Sequence, residues 1–194
     1  MVAVAVLRLM KQVNQVRDSA SIQSLAHWRK YRGDLPDVNI WLALAQPDHA
    51  HHAAAQSYWH ESMGRLMQAN TDESSAVHSE KLYFCRTTML GLVRVLCQSE
   101  RAKGRQVEIH QAMAAYQRFM DIEEVAFLQE PWLGVDATLT MLLNVYPKLP
   151  LHMSTDVYLA ALAQTTGLRL VSFDRDYRRF EGLDCLIIET DNPA

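Results

Sequence analysis

No apolar run in the sequence approaches the roughly 20 residues that a membrane-spanning helix needs. Cysteine is scarce. Cys85, Cys97 and Cys185 are an odd count, and no pair has the spacing of metal ligands. They read as free thiols in a reducing cytosol, where a free cysteine serves as a small buried hydrophobe. Excess positive charge is also missing: a net charge of −3 argues against a uniformly basic nucleic-acid coat, though it leaves room for a local basic groove. No aromatic array suggests stacking of single-stranded bases. There is no internal repeat and no Gly/Ser linker. A chain of 194 residues, 49% hydrophobic and 21% charged, therefore reads as one globular domain, with or without an appendage.

The amino terminus differs from the rest. Residues 1–33 carry Arg8, Lys11, Arg17, Arg29, Lys30 and Arg32 against the single acid Asp18, a local balance of +5 that leaves −8 for the remainder of the −3 total. Met1 to Leu7 is apolar but lacks the basic segment of a secretory signal, and no small-residue cleavage site follows cleanly. The acid-poor start superficially resembles an organelle transit peptide. The plainer reading is a helical or disordered basic extension over 1–33, or a start codon placed too far upstream, with the folded domain at 34–194.

From there strands and helices alternate. A short strand ends at Asp37, a helix begins over Ile40–Ala45, Pro47 interrupts it, and His51–Gln68 continues as a second helix. Asn70–Ser79 is polar and reads as a loop. Leu82–Cys85 is a strand, and Thr87 or Thr88 is placed to cap the helix after it. A helix over 107–120, a strand over 125–127 and a helix over 133–144 follow. Ser154 or Thr155 is placed to cap a helix running to Thr166, with Gly167 as its stop. Residues 168–173 form a strand, Tyr177–Phe180 one helical turn, and 185–188 the last strand. Short, uniformly apolar strands suit a parallel sheet covered on both faces, an α/β fold of three layers.

In such sheets ligands sit beyond the carboxyl ends of the strands. Asp37 and Asp174 lie at two of those ends. Asp156 lies in the first turn of a helix, where the helix dipole favours negative charge. Each alone reads equally as a turn acid, a helix-start acid or a partner for nearby arginines. Together, if they converge, they make an all-oxygen site of the kind Mg²⁺ and Mn²⁺ prefer and phosphodiester hydrolysis uses. His49, His51, His52 and His60 cluster after the first strand, but adjacent His51 and His52 share no helix face, so they read as solvated residues rather than a zinc site.

Four ordered blocks carry a resemblance. Leu35-Pro36-Asp37-Val38-Asn39-Ile40-Trp41-Leu42-Ala43-Leu44-Ala45 resembles the opening of PIN-domain proteins of the VapC toxin type, and Phe84-Cys85-Arg86-Thr87-Thr88-Met89-Leu90-Gly91 their second block. Ser154-Thr155-Asp156-Val157-Tyr158-Leu159 and Arg169-Leu170-Val171-Ser172-Phe173-Asp174 are similar to the third and fourth. The blocks span about residues 34–190, and 1–33 has no counterpart. The resemblance implies a three-layer α/β/α PIN-like fold. It implies a Mg²⁺- or Mn²⁺-dependent endoribonuclease, the toxin of a toxin–antitoxin pair, working in the cytoplasm. RNA would be its substrate, a cognate antitoxin its partner and a homodimer its assembly. Asp37, Asp156 and Asp174 are the implied ligands, with Asn39, Thr155 and Asp176 in support. Arg86, Arg94, Arg175 and Arg178, with Arg179 beside them, are the candidate RNA contacts. One position departs: many relatives carry Glu where Met89 stands, and Met is a poor ligand for a hard cation. That departure keeps open an alternative, a catalytically impaired PIN-like module that binds RNA or a protein partner.

Overall fold

The computed structural model describes residues 31–71 and 80–189. The basic extension, except for its last three residues, lies outside the described residues, as does most of the predicted loop at 70–79. The element order is β1 (Gly33–Pro36), α1 (Val38–Ala45), α2 (His52–Thr71), β2 (Lys81–Phe84), α3 (Arg86–Ala102), α4 (Ile109–Met120), β3 (Val125–Phe127), α5 (Trp132–Val145), α6 (Ser154–Thr166), β4 (Arg169–Ser172) and β5 (Cys185–Ile187). Single 3-10 turns at Leu151–Met153 and Arg175–Arg179 precede α6 and follow β4.

The strands form one parallel sheet in the order β3-β2-β1-β4-β5. Side chains of a strand alternate between faces, and the core divides accordingly. Leu82, Phe84 and Val171 point to one face, where Ile40 and Trp41 of α1, Tyr58 and Leu66 of α2, and Met89 and Leu92 of α3 cover them. Leu35, Tyr83 and Leu170 point to the other, under Val135 and Leu142 of α5 and Val157 to Ala163 of α6. Trp41 fixes the first layer by stacking on Phe84, centroids 3.8 Å apart.

The chain moves outward from β1 through β2 to β3, then returns to the opposite side of β1 to lay down β4 and β5. The direction of winding reverses between β1 and β4. That switch point opens a crevice at the carboxyl ends of the two strands. Asp37 follows β1, and Asp174 lies two residues beyond β4.

Two glycines fix local geometry. Gly33 has φ +121°, and a Cβ there would lie 1.9 Å from the Lys81 carbonyl oxygen. A Cβ on Gly91 would lie 2.5 Å from Val38 Cγ2, so the missing side chain is what lets α3 pass close to the start of α1. The predicted stop at Gly167 holds: its φ is +76° and its N–H reaches the Ala163 carbonyl.

The predicted caps are corrected. The N-cap of α3 is Cys85, whose sulfur accepts from the Thr88 N–H while the Thr88 hydroxyl accepts from the Cys85 N–H. Thr88 thus completes the cap from the first turn, and Thr87 takes no part. At α6 neither Ser154 nor Thr155 caps. The 3-10 turn runs directly into the helix and supplies the cap position from Met153, with no side-chain hydrogen bond.

Candidate metal centre at the sheet switch point

Asp37 is the N-cap of α1 and is almost fully buried. Its Oδ1 accepts from the Val38 N–H at 2.6 Å and its Oδ2 from the Ser172 hydroxyl at 3.0 Å, while its own N–H extends the sheet to the Val171 carbonyl at 2.8 Å. Ser172 is completely buried at the end of β4. Besides donating to Asp37, its Oγ accepts from Asn39 Nδ2 at 2.9 Å and from the Asp174 N–H at 3.0 Å. One hydroxyl hydrogen and two lone pairs are all used. The predicted supporting residue Asn39 therefore acts on Asp37 through Ser172, and its Oδ1 also accepts from the Phe173 N–H at 3.4 Å. The hub itself was not singled out from sequence. The available signal was a small hydroxyl inside an otherwise apolar strand, two residues before Asp174.

Asp174 is exposed and caps the following turn, its Oδ1 accepting from the Asp176 N–H at 2.8 Å. Asp156 is half-buried in the first turn of α6, with the Tyr177 hydroxyl 3.4 Å from its Oδ1. The three acids are close enough to feel one another. Burial first, then the charges of Asp156 and Asp174, raise the Asp37 carboxyl to about 6, against the lowering effect of its two hydrogen bonds. Burial and the Asp174 charge raise Asp156 as well. Asp176 adds repulsion at Asp156, but its carboxylate is paired with Arg179 at 2.7 Å.

An open groove of about 560 Å³ is bounded by Asp37 and Asp156 but not by Asp174. Asp37, Val38, Asn39 and Leu42 bound it from α1, and His152, Thr155 and Asp156 from the start of α6. Thr87, Leu90, Gly91, Arg94 and Val95 of α3 form the third wall, at the 3-1-3-1 steps of one helix face. Met89 is on the opposite face of that helix, 5% exposed within the core. The position aligned with the missing Glu thus packs against Ile40 and Leu92, and α3 sends no carboxylate into the groove. His152 was not anticipated.

The predicted arginines divide. Arg94 lines the groove and has no ion pair among the described residues. Arg86 lies over the Phe127 ring at 4.7 Å. Arg175 and Arg178 both grip Glu189 at the surface. Of the histidine cluster, His49 and His51 meet, ring centroids 5.6 Å apart, and His51 also packs on Phe173, whereas His52 Nδ1 lies 2.6 Å from the Ala43 carbonyl and His60 bonds its own helix.

The donor set suits a hard divalent cation. Its oxygens are carboxylate, two of the acids are raised by mutual charge and burial, and a cation relieves that penalty. Among the described residues no three His, Cys, Asp or Glu side chains are grouped so that they could hold a metal ion together. Mg²⁺ usually keeps several waters and takes only one or two carboxylates directly.

No protein-family model matches the chain. In sequence it is similar to Ribonuclease VapC41 of Mycobacterium tuberculosis, 29% identical over 157 residues, which is 79% of this chain and 97% of that protein, in strains CDC 1551 / Oshkosh and ATCC 25618 / H37Rv alike. In fold it is similar to VapBC-1 of nontypeable Haemophilus influenzae, with a TM-score of 0.53, 16% identity and coverage of 79% of this chain and 96% of that one. VapBC2 of Rickettsia felis, solved with a DNA fragment from its promoter, gives 0.52 at 10% identity over 80% and 98%. VapC20 of M. tuberculosis, described as a sarcin-ricin loop cleaving toxin, gives 0.50 at 15% over 75% and 93%. With a five-stranded parallel sheet and acids at its switch point, the chain has the fold of these VapC and VapBC structures and is similar in sequence to a VapC ribonuclease.

Proposed function

We propose that this protein is a metal-dependent endoribonuclease, the toxin of a VapBC-type toxin–antitoxin pair, that hydrolyses RNA phosphodiester bonds in the groove beside Asp37, Asp156 and Asp174. The observation that carries the reading is the electrostatic coupling of acids from separate parts of the chain: the charges of Asp156 and Asp174 raise the Asp37 carboxyl, and that of Asp174 raises Asp156. The likeness to a ribonuclease over 79% of the chain supports it. Asp37, Asp156 and Asp174 would hold a Mg²⁺ or Mn²⁺ ion, which when bound would supply positive charge against the phosphate and lower the pKa of a bound water.

The chain's own residues keep the site in place. Val38 N–H and Ser172 fix the Asp37 carboxylate, Asn39 fixes Ser172, and Tyr177 steadies Asp156. Thr155 adds a hydroxyl to the groove wall. Arg86, Arg175 and Arg178 stand ready for the RNA backbone. Exposed ion pairs such as those to Glu189 contribute only about 0–1 kcal/mol, so a phosphate can take over either guanidinium. The partners on this reading are RNA, a cognate antitoxin and a second copy of the chain, all in the cytoplasm. Among the described residues no helix is long and apolar enough to cross a membrane.

One observation favours a second reading. Met89 is buried in the core, so α3 brings no acid to the groove, which is what a PIN-like module that binds RNA or a partner without cleaving would show. Cleavage of a panel of structured RNAs separates the two. The nuclease reading expects fragments with Mg²⁺ or Mn²⁺ and none with EDTA. Intact RNA under every condition overturns it in favour of the binding module.

A further inference from the structure

We propose that Arg94 and His152 form a phosphate subsite on the two sides of the carboxylate groove, holding the RNA backbone next to the bond that is cut. The inference rests on the ribonuclease reading for its substrate class, but it comes from a separate set of residues.

The groove presents a problem to any RNA chain that enters it. Asp37 and Asp156 lie in its wall with Asp174 charge-coupled to both, and a phosphodiester brings further negative charge among them. Like charges a few ångströms apart repel strongly where water is partly excluded. Something cationic must face the phosphates on either side of the scissile one.

Arg94 is the only Lys or Arg among the residues that bound the groove. It projects from α3 one helical turn beyond Leu90, which is itself 57% exposed. Arg175, Arg178 and Arg179 are all engaged with surface carboxylates, whereas Arg94 has no ion pair among the described residues. An unengaged guanidinium is also the group whose planar fork matches phosphate oxygens in a bidentate grip. On the opposing wall, His152 is exposed in the 3-10 turn ahead of α6, near enough to Asp156 for its charge to act on that acid, and no salt bridge ties it. Its ring offers an N–H to a phosphate oxygen in the neutral form as well as the charged one. The wall between them is apolar at Val38, Leu42 and Leu90, with no aromatic ring to select a base. Contacts of this kind fix register without reading sequence.

α3 turns the Met89 thioether into the core and the Arg94 guanidinium into the groove, so this wall supplies a positive charge and no carboxylate.

The test is binding of a fluorescein-labelled single-stranded RNA, followed by anisotropy across a salt series in EDTA, where no divalent metal bridges RNA to the carboxylates. The full chain is compared with Arg94→Ala, Arg94→Lys, His152→Ala and the control Arg101→Ala, an exposed arginine outside this groove. Loss of one phosphate contact is expected to weaken binding about tenfold and to flatten the log–log salt slope by about 0.7. Arg94→Lys should recover part of the affinity and all of the slope, because it keeps the charge and loses the fork. Arg101→Ala should match the parent. Equal affinity and slope in the parent, Arg94→Ala and His152→Ala overturn the subsite, and so does a parent chain that binds no RNA. The outcome is separable from the nuclease reading. Binding that depends on Arg94 with no cleavage under Mg²⁺ or Mn²⁺ sinks the nuclease and keeps the subsite. Cleavage and binding both indifferent to Arg94 and His152 do the reverse.

Discussion

Asp37 is held with its carboxyl raised to about 6 by burial and by two neighbouring acids, from an ordinary 3.8. Between those values the folded protein keeps a proton that the unfolded chain has released. Its contribution to stability is therefore highest below about pH 4 and is lost as pH rises through about 6. In EDTA, denaturant titrations of the parent and of Asp37→Asn should diverge over that window, the parent losing up to about 3 kcal/mol relative to the variant by neutral pH. Millimolar Mg²⁺ should return stability to the parent alone. A difference between the two proteins that stays flat with pH contradicts the electrostatic account. Ser172 gives a second prediction at this scale. Ser172→Ala removes the hydrogen bond that orients Asp37 and leaves Asn39 Nδ2 and the Asp174 N–H without their acceptor. Mn²⁺ affinity should fall about 10- to 100-fold, the usual loss when a partner of a metal ligand is removed, with far-ultraviolet circular dichroism unchanged. Asp37 and Asp174 were legible in the sequence because each stands at the end of an apolar run, and Asp156 because it lies in the first turn of a helix. Ser172 was not, since a single serine in a strand carries no sign of which hydrogen bonds it will make.

Helix α3 shows at the scale of one element what pattern reveals and what it hides. Its existence was plain from the apolar spacing of Leu90, Val93, Leu96 and Cys97. Its cap was not, because Cys85 takes a role for which Ser, Thr, Asp and Asn are preferred and the threonines after it drew attention instead. Which face meets the groove also depends on packing: Gly91 lies against Val38, and that close approach turns Thr87, Leu90 and Arg94 outward and Met89 inward. Gly91→Ala should therefore push α3 away from α1 and cost about 1–3 kcal/mol in denaturant unfolding, as overpacking does. Gly64→Ala is the matched control in α2, with nothing within 4 Å of the added Cβ, and should stabilise by about 0.5–1 kcal/mol. Similar effects at the two glycines contradict the packing argument.

For the whole molecule, alternating strands and helices sufficed to anticipate three layers around a parallel sheet, because chirality and short connections leave few ways to wind them. The opposite end of the sheet was not legible. Asp34 was not singled out from the sequence, yet it is 1% exposed. Arg169 grips it with two hydrogen bonds of 2.9 Å, Arg65 with one of 3.0 Å, and the Tyr58 hydroxyl with one of 2.9 Å. These partners are 24 to 135 residues away in sequence, and nothing local announces them. The clamp ties β1, β4 and α2 together at the amino ends of the strands, far from the acids at the carboxyl ends. Asp34→Ala leaves two guanidiniums without their shared carboxylate and should destabilise by about 3–5 kcal/mol, while cleavage per folded molecule is unchanged. At the other end of the sheet, the proposal is that acids from three parts of the chain bind one cation. Calorimetric titration of Mn²⁺ into the parent and into the Asp37→Asn/Asp156→Asn double variant tests it most directly. Saturable, stoichiometric binding by the parent and none by the variant is the predicted result. A parent that binds no Mn²⁺, or a variant that binds it equally well, would contradict the account.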